Sequence, residues 1–279
     1  MRKLFCLFFL TFFAIGLAKG LHFLKDGFSP RRLHCLDLPA NEEWGEEVAQ
    51  ILAKPFRYLG RGRQCFAFES LDEKYVIKFP RTDIYKTPLW VRALPLKAYR
   101  KNLEAKHLHK EQFILASVDI SLNELKEQTG LLAVHFGKSS SQGKKISAID
   151  NLGCTHLLPL EKTSFILQYK WPLLTKLFST ALQNGEKGEA KRILDALIDV
   201  IIERSQKGIF NKDPSFLRNY GFDGEKAHPI DIGTFCRMPE LDPALAPQKS
   251  IDYSMGPIRD WLGKTDPEML EHLNNKLLK

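Results

Sequence analysis

Four polar side chains adjoin apolar segments in a pattern that suits a phosphorylated ligand and a metal ion. Lys78 lies in the apolar run at positions 75–79, where an inward-facing ammonium group needs an anion such as a phosphate oxygen. Asp231 lies in the run Ile230-Asp231-Ile232-Gly233, where apolar neighbours and a following glycine suit a buried Mg²⁺ ligand at a strand end. The amide oxygen of Asn219 could complete a metal shell, and Asp213 could accept the proton of an attacking hydroxyl group.

A glycine pair adds a second feature of phosphate sites. Gly60-Arg61-Gly62 separates two short segments with strand-like alternation. Glycine lets the backbone turn tightly and approach phosphate oxygens closely. A glycine pair in a hairpin is often only a turn, so it indicates a phosphate site only in combination with Lys78, which follows it.

The elements around these residues predict an α+β protein. Segments 56–59, 65–69 and 75–79 alternate in hydrophobicity and are joined by polar turns, which predicts an antiparallel meander. Positions 97–128 have helical spacing, and strands are predicted at 131–136, 146–149, 155–160 and 164–169. Helices are predicted at 172–183, at 185–207 and in one or two segments from 252 to 279, and Asn41 is the predicted N-cap of an early helix.

In their order along the chain, these motifs resemble the protein-kinase-like superfamily. Gly60-Arg61-Gly62 resembles the start of the glycine-rich loop, and Tyr75-Val76-Ile77-Lys78 resembles the V-A-I-K strand. Segment 165–170 resembles the strand that leads into the hinge, segment 213–219 the catalytic loop, and Asp231-Ile232-Gly233 the D-F-G motif. The resemblance covers about residues 50 to 265.

The resemblance implies a fold, a ligand and a role for each residue. The fold would be two-lobed, with an antiparallel sheet and a helix in the N-lobe and a small, mostly helical C-lobe. ATP and Mg²⁺ would be the cofactors, and the acceptor would be an unknown protein or small molecule with a hydroxyl group. The implied catalytic residues are Asp213 and Lys78, the nucleotide-binding residues are Gly60, Gly62, Lys78, Gln168 and Tyr169, and the metal ligands are Asn219 and Asp231.

The sequence departs from the family pattern at several positions. Cys65 occupies the place of the third glycine, and Asn211-Lys212-Asp213 stands where H-R-D is usual. Asn219 lies one residue later than the usual spacing, and no A-P-E motif follows. The helical Glu that should pair with Lys78 is Glu104, Glu111 or Glu124. These departures keep open a second hypothesis, a pseudokinase that binds or scaffolds without phosphoryl transfer.

The N-terminal segment raises a third hypothesis. Positions 4–18 carry no charge and follow Arg2 and Lys3, and Gly16 and Ala18 suit cleavage after Ala18. Residues 1–20 are therefore interpreted as an export signal or, through residues 4–24, as an uncleaved membrane anchor, although a membrane span needs about 20 apolar residues. An exported domain would meet little ATP, so an interaction domain without nucleotide remains an alternative, and the orientation stays open.

Charge and length complete the predictions. The net charge of +8 is spread along 279 residues with a moderate cluster between Arg92 and Lys110, and no nucleic-acid motif is present. The basic cluster is interpreted as a solvated helix face or as a surface for anionic lipid or polyphosphate. The predicted divisions are 1–20, a lead-in at 21–50, an N-lobe at 51–170 and a C-lobe at 171–279.

Overall fold

A computed structural model gives the architecture of the chain. It describes residues 11–14, 16–17, 19–20, 22–33, 35, 44–81, 84, 87, 91, 97–137, 143–241 and 246–278. The chain divides into two compact units. Met1–Lys86 and Leu132–Gln168 form the first, called the sheet unit, and Thr87–Leu131 and Tyr169–Lys279 form the second, called the helical unit. Strands make up most of the first unit and helices most of the second, so the protein is a mixed α+β chain.

Seven strands form one sheet. They are β1 (Phe56–Arg61), β2 (Cys65–Ser70), β3 (Tyr75–Pro80), β4 (Leu131–His135), β5 (Lys145–Ile149), β6 (Thr155–Pro159) and β7 (Phe165–Tyr169). Their order across the sheet is β4-β7-β3-β2-β1-β5-β6. The predicted meander is confirmed, because β1 pairs antiparallel with β2 and β2 with β3. The sheet is mixed rather than purely antiparallel, because β5 pairs parallel with β1.

Phenylalanine fills the core of the sheet unit. In β1 the more buried side chains alternate with exposed ones, as a sheet with one buried face requires, whereas β2 and β3 are buried along more of their length. Five apolar side chains of these strands have no exposed surface: Phe56, Phe66, Phe68, Ile77 and Phe79. A short helix, α1 (Glu46–Leu52), adds Ile51 and Leu52 to this core. The predicted N-cap Asn41 lies outside the described residues.

The described part of the N-terminal segment is helical at residues 11–14, 16–17, 19–20 and 22–24. The first ten residues of the predicted signal or anchor lie outside the described residues. Within the described residues, no helix has the length and hydropathy needed to cross a bilayer.

The helical unit contains the remaining helices. They are α2 (Lys97–Glu124), α3 (Lys126–Thr129), α4 (Leu174–Gln183), α5 (Lys187–Gln206), α6 (Phe216–Asn219), α7 (Met238–Leu241), α8 (Pro247–Thr265) and α9 (Pro267–Leu277). The apolar face of α5 lies at the centre, packed against α4, α8 and α9. Gly208 follows α5 at φ 73°, a left-handed conformation that glycine adopts at low cost.

Two short two-stranded sheets complete the helical unit. Strand β8 (Ile209–Asn211) pairs antiparallel with β11 (Phe235–Arg237), and β9 (Tyr220–Phe222) pairs antiparallel with β10 (Ala227–Pro229). Helix α2 belongs to the helical unit, whereas the predicted N-lobe at 51–170 included it. Strands of three residues carry too little periodicity to be recognised from sequence, so the sequence predicts none of these four strands.

Candidate functional site

Asp213 lies directly beyond β8 in the helical unit. The ladder between β8 and β11 extends one bond further, because the Lys212 N–H donates to the Thr234 carbonyl at 3.0 Å. Asp213 is half-buried, and its Oδ1 accepts a hydrogen bond from the Ser215 N–H at 3.0 Å. Among the described residues no second donor bonds this carboxylate. One carboxylate oxygen therefore remains for an external hydroxyl group.

The hairpin formed by β9 and β10 brings the backbone of Asn219 close to that of Asp231. The Ile230 N–H donates to the Asn219 carbonyl at 2.8 Å, which extends the ladder between β9 and β10 to the residue just before Asp231. Oδ1 of Asp231 accepts from the Gly233 N–H at 3.2 Å. Nδ2 of Asn219 is buried and has no partner within the described part of the chain. The structure thus gathers an amide and a carboxylate at one end of a hairpin.

These oxygen groups fit the chemistry of a magnesium ion. Mg²⁺ takes one or two carboxylates from a protein and obtains its other ligands from phosphates and water. Asn219 and Asp231 would hold such an ion. No group of three or more His, Cys, Asp or Glu side chains occurs in the described ranges, so these residues form no all-protein cage of the kind zinc requires.

Asn211 ties the two loops together and was missed by the sequence analysis. Its side chain is buried, and its Oδ1 accepts from the Asp213 N–H at 3.0 Å and from the Thr234 hydroxyl at 2.6 Å. It therefore fixes the backbone of Asp213 to the loop that follows Asp231. Its only signal in the sequence was a departure, because asparagine replaces the first residue of the H-R-D pattern.

Helix α2 supports the same loop through Ser117. This fully buried hydroxyl donates to the Ile232 carbonyl at 2.5 Å and accepts from the Phe235 N–H at 2.7 Å. The carboxylate of Glu124 on α2 forms a two-pronged ion pair with Arg237, one bond of which measures 2.8 Å. Glu124, one of three predicted partners of Lys78, is thus engaged within the helical unit.

Arg204 lies behind the loops as a buried cation. The side chain is 1% exposed and donates to the Tyr220 hydroxyl at 3.0 Å and to the Ser254 hydroxyl at 2.9 Å. Its guanidinium carbon stands 6.0 Å from the centroid of the Phe235 ring. No carboxylate of the described residues forms an ion pair with it, and its Nε has no partner there. The two hydroxyl groups are therefore its main compensation for lost hydration.

Lys78 and Gln168 meet in the sheet unit. Strands β3 and β7 are neighbours in the sheet, and Lys78 Nζ donates to Gln168 Oε1 at 2.8 Å. Lys78 is half-buried, whereas Gln168 is 2% exposed. Gln168 presents a neutral amide oxygen, so this bond orients the ammonium group without adding a negative charge beside it.

The glycine pair lies partly in a strand. Strand β1 continues to Arg61, so Gly60 is a strand residue after a bulge, and only Gly62 enters the turn. Neither glycine has a positive φ. A Cβ at Gly60 would meet no atom within 4 Å, and one at Gly62 would lie 3.6 Å from the Cys65 carbonyl. The turn therefore leaves open space at these backbone atoms, which is what close approach of a ligand needs.

Trp171 fixes the segment after β7 within the helical unit. The N–H of Tyr169, a predicted nucleotide contact, donates to the Gly130 carbonyl at 3.0 Å. The Trp171 ring stacks on His228 with centroids 3.8 Å apart and an interplanar angle of 10°. The two ring nitrogens of His228 bond the Gln128 carbonyl and the Asp223 carboxylate, each at 2.8 Å.

The charge of Asp223 is settled by its hydrogen bonds. Burial raises the pKa of this carboxyl group, but bonds from the Lys226 N–H, the His228 ring and the Glu225 N–H outweigh burial and lower the pKa to about 2. Asp223 is therefore ionised at neutral pH and holds the His228 ring against Trp171.

Comparisons with known proteins give limited similarity. No protein-family model matches the chain, and no curated protein matches it. A medium-resolution structure of the bifunctional kinase-methyltransferase WbdD aligns with a TM-score of 0.36 and 19% identity, over 64% of this chain and 31% of that one. A co-crystal structure of WbdD with the kinase inhibitor LY294002 aligns with a TM-score of 0.35 and 18% identity, over 65% and 33%. The aligned region spans about a third of WbdD, and TM-scores this low transfer neither fold nor activity.

Proposed function

We propose that this chain is an atypical, two-lobed kinase-like phosphotransferase that uses Mg-ATP to phosphorylate a hydroxyl group on a protein or small-molecule acceptor. The observation that carries the proposal is the pair of short ladders in the helical unit. One bonds Lys212, the residue before Asp213, to Thr234, and the other bonds Asn219 to Ile230, the residue before Asp231. Three residues spaced along the chain thereby share one loop region.

Each residue has a role that follows from its chemistry. Bound Mg²⁺ would neutralise charge on the phosphate oxygens and orient them, and Asn219 and Asp231 supply oxygen atoms to hold it. The acceptor's hydroxyl oxygen forms a bond to the terminal phosphorus of ATP while the carboxylate of Asp213 accepts the hydroxyl proton. The P–O bond that bridges this phosphorus to ADP breaks, and ADP departs. Lys78, oriented by Gln168, binds phosphate oxygens as a positive charge.

Nucleotide binding by the full chain tests the proposal. A ligand at a hundred times its dissociation constant stabilises its protein by about 2.7 kcal/mol, which is about 5–10 °C in melting temperature for a domain of this size. We expect such a shift with Mg-ATP. Lys78→Met and Asp231→Asn should reduce it strongly.

Matched controls come from exposed residues of each unit. Lys74 lies on the sheet unit and Asp260 on α8, and both side chains are exposed. Lys74→Met and Asp260→Asn should keep the parent shift. Equal shifts in all variants, or none in the parent, would contradict the proposal. Binding of Mg-ATP without phosphate release or transfer would instead favour the pseudokinase alternative, whereas turnover that Asp213→Asn abolishes would rule it out.

A further inference from the structure

The helical segment at the start of the sheet unit, residues 11–24, exposes large apolar side chains. Its described residues are helical at 11–14, 16–17, 19–20 and 22–24. The exposed fractions of its large side chains are 59% for Phe12, 63% for Phe13, 56% for Leu17, 84% for Phe23 and 56% for Leu24. Several large apolar side chains exposed on one short segment mark an interaction site.

The end of this helix is fastened to the sheet unit. Lys25 Nζ lies 2.9 Å from the fully buried carboxylate of Asp150, and the Asn151 amide donates to the Leu24 carbonyl. Phe28 is 2% exposed and packs edge-on against Phe68, with ring centroids 5.0 Å apart. The C-terminal end of the helical segment is therefore attached to the sheet unit by an ion pair, a hydrogen bond and a buried ring.

Basic side chains converge at the foot of the helix, around Gly27. Arg32 Nη1 donates to the Gly27 carbonyl at 2.8 Å, and Arg61 Nη1 donates to the Asp26 carbonyl at 3.0 Å. The point where a Cβ of Gly27 would stand lies 2.9 Å from Arg61 Nη1, 3.2 Å from Arg32 Nη1 and 3.5 Å from His22 Nε2. Cations thus crowd one small region.

A depression opens at the same place. Lys19, His22, Phe23, Asp26, Gly27 and Arg61 line it. Asp26 is the one acidic residue among the described lining residues, and its carboxylate accepts the Tyr58 hydroxyl at 2.7 Å and lies 3.5 Å from Arg61 Nη2. The depression therefore combines ammonium and guanidinium groups with an exposed aromatic ring.

We infer that this surface binds an anionic lipid bilayer. The exposed side chains of Phe12, Phe13, Leu17, Phe23 and Leu24 enter the interface, and a phosphate-bearing headgroup lies against Lys19 and Arg61. An apolar helix face beside basic residues binds membrane surfaces through buried apolar area and attraction to anionic lipids. Both features occur here within one unit, whether or not the chain uses nucleotide.

Vesicle flotation of the full chain tests the inference. Phosphatidylcholine vesicles with and without phosphatidylglycerol are compared. Each basic residue near an anionic surface contributes about fivefold to partitioning, so Lys19→Glu, which changes the charge by two, should weaken binding to anionic vesicles by about twenty-five-fold. Phe23→Ser should weaken binding to both kinds of vesicle. Added salt should weaken only the anionic preference.

Exposed residues elsewhere on the sheet unit give matched controls. Leu157 is 61% exposed and Lys145 is exposed, so Leu157→Ser and Lys145→Glu should bind as the parent does. Equal binding to both kinds of vesicle, or equal loss in the controls, would overturn the inference. Self-association that Phe23→Ser abolishes, without vesicle binding, would identify a second copy of the chain as the occupant and would also overturn it.

Discussion

Replacing Gly130 by alanine should destabilise the helical unit by about 1.5–3.5 kcal/mol. The added Cβ would stand 1.9 Å from Trp171 Cη2, where a normal carbon–carbon contact is about 3.5–4.0 Å. The ring cannot simply retreat, because its other contacts include the His228 stack at 3.8 Å. A left-handed backbone costs alanine about 1–2 kcal/mol, and losing an aromatic stack costs about 0.5–1.5 kcal/mol.

A matched glycine separates the two contributions. Gly185 has a φ of 74°, against 57° for Gly130, but an added Cβ there would meet no atom within 4 Å. Gly185→Ala should therefore cost only the backbone term, about 1–2 kcal/mol. In a Trp171→Ala background, Gly130→Ala should also fall to that value, since the obstructing ring is gone.

Urea unfolding followed by far-ultraviolet circular dichroism measures these free energies. The difference between Gly130→Ala and Gly185→Ala is the decisive quantity. If both cost the same, or if removing Trp171 leaves the cost of Gly130→Ala unchanged, the indole does not occupy the place at Gly130 that this reasoning requires.

Three further predictions concern buried polar groups. Ser117→Ala should cost about 2–4 kcal/mol in urea unfolding, because two buried backbone groups lose partners, whereas Ser121→Ala, whose hydroxyl bonds only its own helix, should cost under about 1 kcal/mol. Tyr220→Phe should cost about 1.5–3 kcal/mol, because it strips a hydrogen bond from a buried guanidinium, while Tyr253→Phe at an exposed site should cost less; equal losses would contradict this. Burial raises the pKa of Asp150, but hydrogen bonds from the His156 ring and the Lys25 ammonium group outweigh burial and lower the pKa well below 3.8. The free energy of unfolding should therefore fall as pH drops below about 4, because the unfolded state then takes up a proton that the folded state does not bind. In Asp150→Asn the urea midpoint should depend less on pH over that range.

Local pattern was sufficient for most elements. Alternation predicted β1, β2 and β3 because a sheet with one buried face needs apolar side chains at every second position. Helix α5 was predicted from its broad apolar face, and it runs from Lys187 to Gln206, close to the predicted 185–207. The bulge that draws Gly60 into β1 was not predicted, because strand register depends on a partner distant in sequence.

The sequence by itself determined which residues could do chemistry, because Lys78, Asp213, Asn219 and Asp231 carry the required groups beside apolar segments. Only the tertiary structure decided what holds them. β8 pairs with a strand far along the chain, and strands of three residues are too short to show a periodicity, so the sequence predicts neither short sheet. Ser117 and Gln168 look like ordinary polar residues in sequence, and their roles exist only because folding places each of them against one particular group.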